Sequence, residues 1–463
     1  MTSQWTAERN WSQRLEGILL VDLLLTAMGA TLAFGTVEPW SLALFQLNAL
    51  VVGGILVVLA AFDPAFVWSR QWLALPLWGW LLWAVCQMLP LTGEVGVAGT
   101  PAPESLSMEQ LRLGTISEAP HLTRAAAFKL FAFSLYFSAA LQVLRTSLSR
   151  RVTVQVLAAF GLVIACLAIL QRLTSPRTLY WIRPVSDYVA PFGPFANYNH
   201  FAGLVELLFP LPLAMLLFQE FQERKGDSRL LFRLSTLVLL VAGILSISRG
   251  GLLAIGGQLL LFGILLMRQS RRHRAGRFRG SPRKNGWTLL LGAAVVVALS
   301  WWIGSQSLRT RLATFEQGAR DYSVVTRLTY WKAAWQILLD HPLTGVGVGA
   351  FPSVYPRYGS SSAQLERVEE AHNDYLHLLV ETGMIGGGLL LTFLVLCLRS
   401  WRVQVRQMAM AGRGDPAIFY GSWIAMVGLA LHSWVDFNLQ IPSNALLFLL
   451  MAAMILPTEE DPL

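Results

Sequence analysis

Ala371-His372-Asn373-Asp374-Tyr375-Leu376-His377-Leu378-Leu379-Val380-Glu381-Thr382-Gly383 sits where the longest polar segment of the chain runs into a long apolar one. About seventy residues of mixed charge and aromatics precede it, and Gly386-Gly387-Gly388 and Leu389-Leu390-Leu391-Thr392-Phe393 follow. Two histidines, an amide and two carboxylic acids thus enter the mouth of an apolar helix together. Polar groups at such a depth are costly and need partners or a function.

That apolar run is one of many. The chain has 463 residues, 54% hydrophobic and 14% charged, with a mean hydropathy of +0.52. Soluble chains rarely combine that length with so few charges. A helix of about twenty apolar residues spans a hydrocarbon core of roughly 30 Å. Candidate spans fall at 18–34, 41–62, 72–90, 124–144, 152–171, 200–219, 230–247, 250–267, 286–303, 374–398, 418–434 and 441–456. The sequence therefore predicts an all-α polytopic membrane protein with about 12 transmembrane helices. Residues 1–463 read as one integral membrane domain, with a long loop containing short helices, 304–373, between the ninth and tenth spans.

The net charge of +9 does not point to nucleic acid as a partner, because the basic residues concentrate in particular short loops. Loops with Arg70, with Arg145, Arg150 and Arg151, with Arg224, Lys225 and Arg229, and with Arg399, Arg402, Arg406 and Arg413 fall on one side. So does the block from Arg268 to Lys284, which contains no acid. The positive-inside rule makes that side cytoplasmic, with both termini there and membrane lipids as the surrounding partner. The first seventeen residues carry Arg9 and Arg14 with Glu8 and Glu16 and read as the lead to an uncleaved span. Cys86, Cys166 and Cys397 lie in apolar runs without motif spacing and read as small buried hydrophobes.

Residues 91–123, 172–199, 304–373 and 435–440 fall on the opposite side. A loop as long as 304–373 is unusual unless functional. Within it Leu328, Trp331, Trp335 and Leu338 recur at helical spacing, an amphipathic helix suited to a membrane surface. His341-Pro342 ends that helix, and Gly345-Val346-Gly347-Val348-Gly349 reads as a flexible turn. Inside the spans the clear ionisable groups are Asp22, Lys129 and Glu206. A transporter usually shows paired midplane charges or matched halves, and neither is visible.

If Asn373 or Asp374 caps a helix, Asn373, His377 and Glu381 share one stripe, while His372 precedes the first turn and faces the loop. From spacing alone, a capped helix with a polar interhelical face and a catalytic site read equally well. A zinc site reads poorly, since the two histidines are not in a His-Glu-x-x-His pattern. Arg249 stands at the mouth of two closely joined spans and Arg327 opens the loop helix. A guanidinium offers a permanent planar fork for phosphate oxygens, although each alone reads first as an interfacial anchor. Pro191-Phe192-Gly193-Pro194-Phe195-Ala196-Asn197-Tyr198-Asn199-His200 brings amides and aromatics to a membrane boundary; they suit sugars, and equally turns and belts. In His432-Ser433-Trp434-Val435-Asp436-Phe437-Asn438, His432 and Asp436 are spaced to pair, with no role assigned.

Arg327-x3-Trp331, Pro342-Leu343-Thr344-Gly345-x-Gly347-x-Gly349-x-Phe351, Tyr355 and Tyr358 lead into Ala371-His372-Asn373-Asp374-Tyr375 with Glu381 and Gly383. This set resembles the O-antigen ligase and polymerase superfamily. Gly193 to His200 is similar to that family's Gly-x-Phe-x-Asn-x-Asn segment, departing by Tyr198 where proline is common, and Ser248-Arg249-Gly250 also matches. The resemblance covers roughly 190–400 as a ligase-like core.

It implies a bacterial inner-membrane glycosyltransferase with a large periplasmic loop and a periplasmic active site. Such enzymes pass a glycan from an undecaprenyl-diphosphate carrier to an acceptor hydroxyl without a metal, nucleotide sugar or other cofactor. Carried over by motif, Arg249 and Arg327 hold the diphosphate and His372 activates the acceptor. Asn373, Tyr375, His377, Glu381, Asn197 and Asn199 support or bind substrate. The acceptor is lipid A–core for ligases, the growing glycan for polymerases, and a protein hydroxyl for O-oligosaccharyltransferases. A non-enzymatic transporter of lipid-linked glycan is the alternative of another class.

Overall fold

The computed structural model describes residues 2–63, 66, 68–92, 114–185, 191–218, 227–272, 287–299, 301–302, 322–359, 368–411 and 415–459. Most of the basic block ending at Lys284, and 304–321 and 360–367 of the long loop, lie outside the described residues. The chain is an all-α polytopic membrane protein; among the described residues the only paired strands are two short antiparallel pairs, Pro90–Thr92 with Gly114–Thr115 and Thr178–Leu179 with Arg183–Pro184. Every stretch expected to span is mostly helical over its described residues. Eight helices among the described residues are long and apolar enough to cross a membrane. The other four stretches form shorter helices: Leu75–Met88, Trp287–Leu299, Pro416–His432 and Pro442–Met454. A helix of 14 residues, the length of Leu75–Met88, extends only about 21 Å. Pro442–Met454 is buried along nearly its whole length, so protein rather than lipid surrounds it.

The chain forms two compact units. The first comprises Met1–Gln71, Leu135–Asp321 and Cys397–Leu463. Its most enclosed span is Tyr198–Phe218, against which Pro416–His432 packs. At one end of this unit, Arg145 pairs with both Glu16 (2.8 Å) and Glu459 (2.7 Å). Arg70 donates there to the Leu141 and Pro457 carbonyls, and Arg150 to Leu144 and Pro457. Three arginines from loops expected on one side thus satisfy carbonyls and carboxylates around the beginning and end of the chain. Cys166 is exposed on the face of its span, unlike the buried Cys397, because a thiol among lipid-facing apolar groups needs no cover.

The second unit comprises Trp72–Ser134 and Tyr322–Leu396. Here the described part of the long loop folds against the opening of helix Asp374–Ala411. Tyr330, Ala333, Ala334 and Ile337 of the loop helix Tyr322–Asp340 join Val346, Phe351, Val354, Tyr355, Ala371 and Val380 in one core. Each large side chain so buried contributes about 1.5–3 kcal/mol. The packed face is therefore Tyr330-Ala333-Ala334-Ile337, whereas Leu328 and Trp335 of the expected face are exposed. The loop helix is apolar on both sides: small residues allow close packing on one, and bulky Leu and Trp side chains cover the other.

Candidate functional site

Helix Asp374–Ala411 begins as its sequence suggests. Asn373 Oδ1 accepts the Leu376 N–H at 3.0 Å, satisfying one of the open donors of the first turn. Asn373, His377 and Glu381 then follow on one buried stripe. His377 Nδ1 accepts the Ala371 N–H (3.3 Å), so Nε2 carries a proton, facing Glu381 (3.2 Å) and Glu370 (3.3 Å). Glu381 Oε1 also accepts the Phe351 N–H at 3.3 Å. Burial pushes the Glu370 carboxyl above the ordinary carboxylate range, against the opposing pull of His377 and Lys129. Tyr375 follows in the first turn, half-buried.

His372 stands apart from this stripe. Its backbone is in the left-handed region at φ 50°, a conformation that costs a non-glycine residue about 1–2 kcal/mol. Strain of this kind persists only where the surroundings hold it. Here Trp331 Nε1 donates to the His372 carbonyl at 3.3 Å, and the Tyr330 ring stacks on the imidazole with centroids 5.9 Å apart. The ring remains half-buried beside the loop helix. Arg327 lies one helical turn before Trp331 and shares its face. The structure thus brings His372 and the Arg327 turn together through adjacent aromatics.

The glycine-rich turn is fixed, not flexible. Helix Asp374–Ala411 is interrupted at Gly383 (φ 63°, ψ −161°). The interruption frees backbone groups, and segment 342–348 takes them up. Val346 N–H donates to Val380 O and Gly347 N–H to Glu381 O, both at 3.0 Å, while Met384 N–H donates to Pro342 O at 2.8 Å. Buried Gln87 completes the joint: its Nε2 donates to Thr344 O (2.8 Å) and Glu381 O (2.9 Å), and its Oε1 accepts Val348 N–H (3.0 Å). Trp83 Nε1 donates to Thr382 O at 3.1 Å. Gly345 has φ +67°, and a Cβ there would strike the Glu381 carbonyl; a Cβ at Gly383 would strike that of Leu343. Two glycines let two backbones touch.

Arg249 belongs to the first unit and opens helix Arg249–Arg272. Ser248 Oγ caps it by accepting the Gly251 N–H at 3.1 Å. A Cβ on Gly251 would lie 2.5 Å from Ala202 Cβ, and one on Gly250 would lie 2.7 Å from the His432 ring. The Ser-Arg-Gly-Gly sequence is thus a capped turn wedged against two neighbours. Asn197 acts as an N-cap, accepting Asn199 N–H at 2.9 Å, and Asn199 is buried. Phe192 and Phe195 pair across Gly193-Pro194 in a tight turn, both rings buried against Phe201. His432 Nδ1 lies 2.7 Å from Glu206 Oε1, deep in the protein, which supplies the partner left open between His432 and Asp436.

Sequence reading missed Gln87, Glu370 and the Glu206–His432 pair. A buried glutamine near a span end was a signal for the first. Glu370, adjacent to the motif, was visible, but its reach back to His377 was not. No curated protein matches the chain. A family model described as O-antigen ligase (Wzy_C) matches residues 234–391, the segment that holds Arg249, Arg327, His372 and the Asn373-His377-Glu381 stripe.

Proposed function

We propose that the protein transfers a glycan from an undecaprenyl-diphosphate carrier to an acceptor hydroxyl at the periplasmic face of the bacterial inner membrane, as a ligase- or polymerase-type enzyme. One observation carries the reading: within the segment that matches the O-antigen ligase model, a strained histidine at the mouth of an apolar helix is held by Tyr330 and by Trp331, itself one turn after Arg327. In the proposed step the acceptor oxygen attacks the anomeric carbon, its proton passes to His372, and the bond from that carbon to the phosphate oxygen breaks. Nδ1 of His372 is buried, so Nε2 is assigned as the receiving atom. Arg249 and Arg327 hold the diphosphate and offset its developing charge; forks of fixed geometry stabilise such a leaving group without reorganising. Residues 1–463 act as one membrane domain, 190–400 as its ligase-like core and 304–373 as its periplasmic loop. Asn373, Tyr375, His377 and Glu381 shape the surroundings of His372, and Asn197 and Asn199 line the glycan side.

Transfer from purified undecaprenyl-diphosphate glycan, with donor binding measured in parallel, tests the reading. Parent protein is expected to release the carrier diphosphate as the acceptor gains the glycan. Binding without transfer to any hydroxyl acceptor would refute it. The product lost on deletion (capped lipopolysaccharide or long-chain polysaccharide) identifies the acceptor.

A further inference from the structure

The segment His432 to Asn438 has no part in the proposed step, yet it is built into the interior. His432 ends helix Pro416–His432, and its Nδ1 meets Glu206 Oε1 at 2.7 Å with both side chains at most 1% exposed. Glu206 lies on the span that Asn197 caps. Gln258, two turns into the Arg249 helix, donates to the Glu206 carbonyl at 2.8 Å and to Ile424 O at 3.3 Å, which ties three helices at this level. A histidine–carboxylate pair out of contact with water is a costly way to join helices, and apolar side chains of similar volume often do so at no loss. Ionisable groups at such depth generally mark function.

The other edge of the His432 ring says what it serves. A Cβ placed on Gly250 would lie 2.7 Å from both Nε2 and Cδ2 of His432. The imidazole therefore occupies the space that a side chain at 250 would need, directly after Arg249. On the adjacent residue, Gly251 rests as closely on Ala202. The turn carrying Arg249 is seated between that ring and the Asn197-capped span. A tilt of the ring would crowd the turn, and the contact of Nδ1 with Glu206 opposes such a tilt.

We propose that Glu206 and His432 are a positioning pair for Arg249, fixing the place of its guanidinium in the diphosphate site without touching the donor. The proposal rests on the reading of Arg249 as a diphosphate ligand. It is tested with the full-length protein and undecaprenyl-diphosphate glycan as probe, through a double-mutant cycle. Glu206→Gln keeps the size and a hydrogen bond but removes the acid; Gly250→Ala pushes the ring from the opposite edge and adds no buried charge. Each is expected to raise the donor KM about tenfold while kcat changes by less than about threefold. Neither is expected to worsen Arg249→Lys further, because all three act on one contact. Losses that add to that of Arg249→Lys would overturn the proposal. So would reduced thermal stability, or failure of both variants to fold, with no effect specific to the donor, for then the pair only packs. If Arg249→Lys itself binds donor normally, the diphosphate assignment fails and the proposal with it. If Arg249→Lys is defective and the cycle additive, the positioning role alone fails.

Discussion

His372 occupies a backbone conformation that glycine would adopt freely, and the protein accepts that cost at the residue with the most chemistry to offer. This separates two effects. His372→Gly relaxes the backbone and is expected to melt no lower than the parent in detergent, yet to lose transfer. His372→Ala keeps the strain, retains donor binding, and loses about 10²–10⁴-fold in rate, the usual worth of a general base. A His372→Ala protein that turned over at the parent rate would end the base assignment. His377, which the resemblance gave a supporting or substrate-binding role, is a buried proton holder between two carboxylates. Its replacement by alanine leaves Glu370 and Glu381 uncompensated, so a stability loss of about 3–5 kcal/mol is expected. Unfolding of purified His377→Ala at the parent midpoint would contradict this. Arg249→Lys and Arg327→Lys should each lower transfer about tenfold or more with normal protein levels, since a point charge cannot reproduce two parallel hydrogen bonds. The Asn373 cap and the stripe to Glu381 were legible because helical spacing and capping chemistry are local. The left-handed backbone at His372 was not, because it depends on Trp331 and Tyr330 of another helix.

Among elements, the joint at Gly383 sets the meaning of the glycine motif. Spacing of Gly345, Gly347 and Gly349 announced a turn but not its occupant: the bonds it completes lie more than thirty residues downstream, at Val380 and Glu381. Gly345→Ala and Gly383→Ala each place a methyl on a carbonyl at positive φ and are expected to cost at least ~1–3 kcal/mol. Gly388→Ala, in the same helix with nothing within 4 Å of the added atom, is expected to be neutral or slightly stabilising. Equal melting of Gly383→Ala and Gly388→Ala would show that the joint is not tight. The loop helix shows the complementary omission. Periodicity marked the bulky side, whose Leu328 and Trp335 are exposed, but not the alanines at 333 and 334 that form the packed face. Weight given to the bulkiest residues hid the side where close approach mattered.

For the molecule as a whole, composition alone marked every helix that the described residues contain in the spans. Among the described residues eight of those stretches form helices long and apolar enough to cross a membrane and four form shorter ones; helices enclosed by protein, such as Pro442–Met454, read as apolar as those facing lipid. The buried pair Glu206–His432 was illegible for another reason: 226 positions separate its members. Charge asymmetry of the loops yields the topology test. In a variant lacking Cys86, Cys166 and Cys397, cysteine at exposed Gln336 is expected to react with an impermeant reagent from outside, and cysteine at exposed Leu148 only after permeabilisation. Reversal of that pattern would invert the orientation and remove the periplasmic site.

The interruption at Gly383 also separates two rotational registers. In an unbroken helix one inserted residue turns everything beyond it by about 100°. Here both sides of the break are indexed to one loop segment: Val380 and Glu381 before it accept from Val346 and Gly347, and Met384 after it donates to Pro342. The break thus lets the histidine stripe and the lower helix hold different phases while both are set against the same reference. A shift of segment 342–347 is therefore transmitted to the stripe and to the apolar helix together.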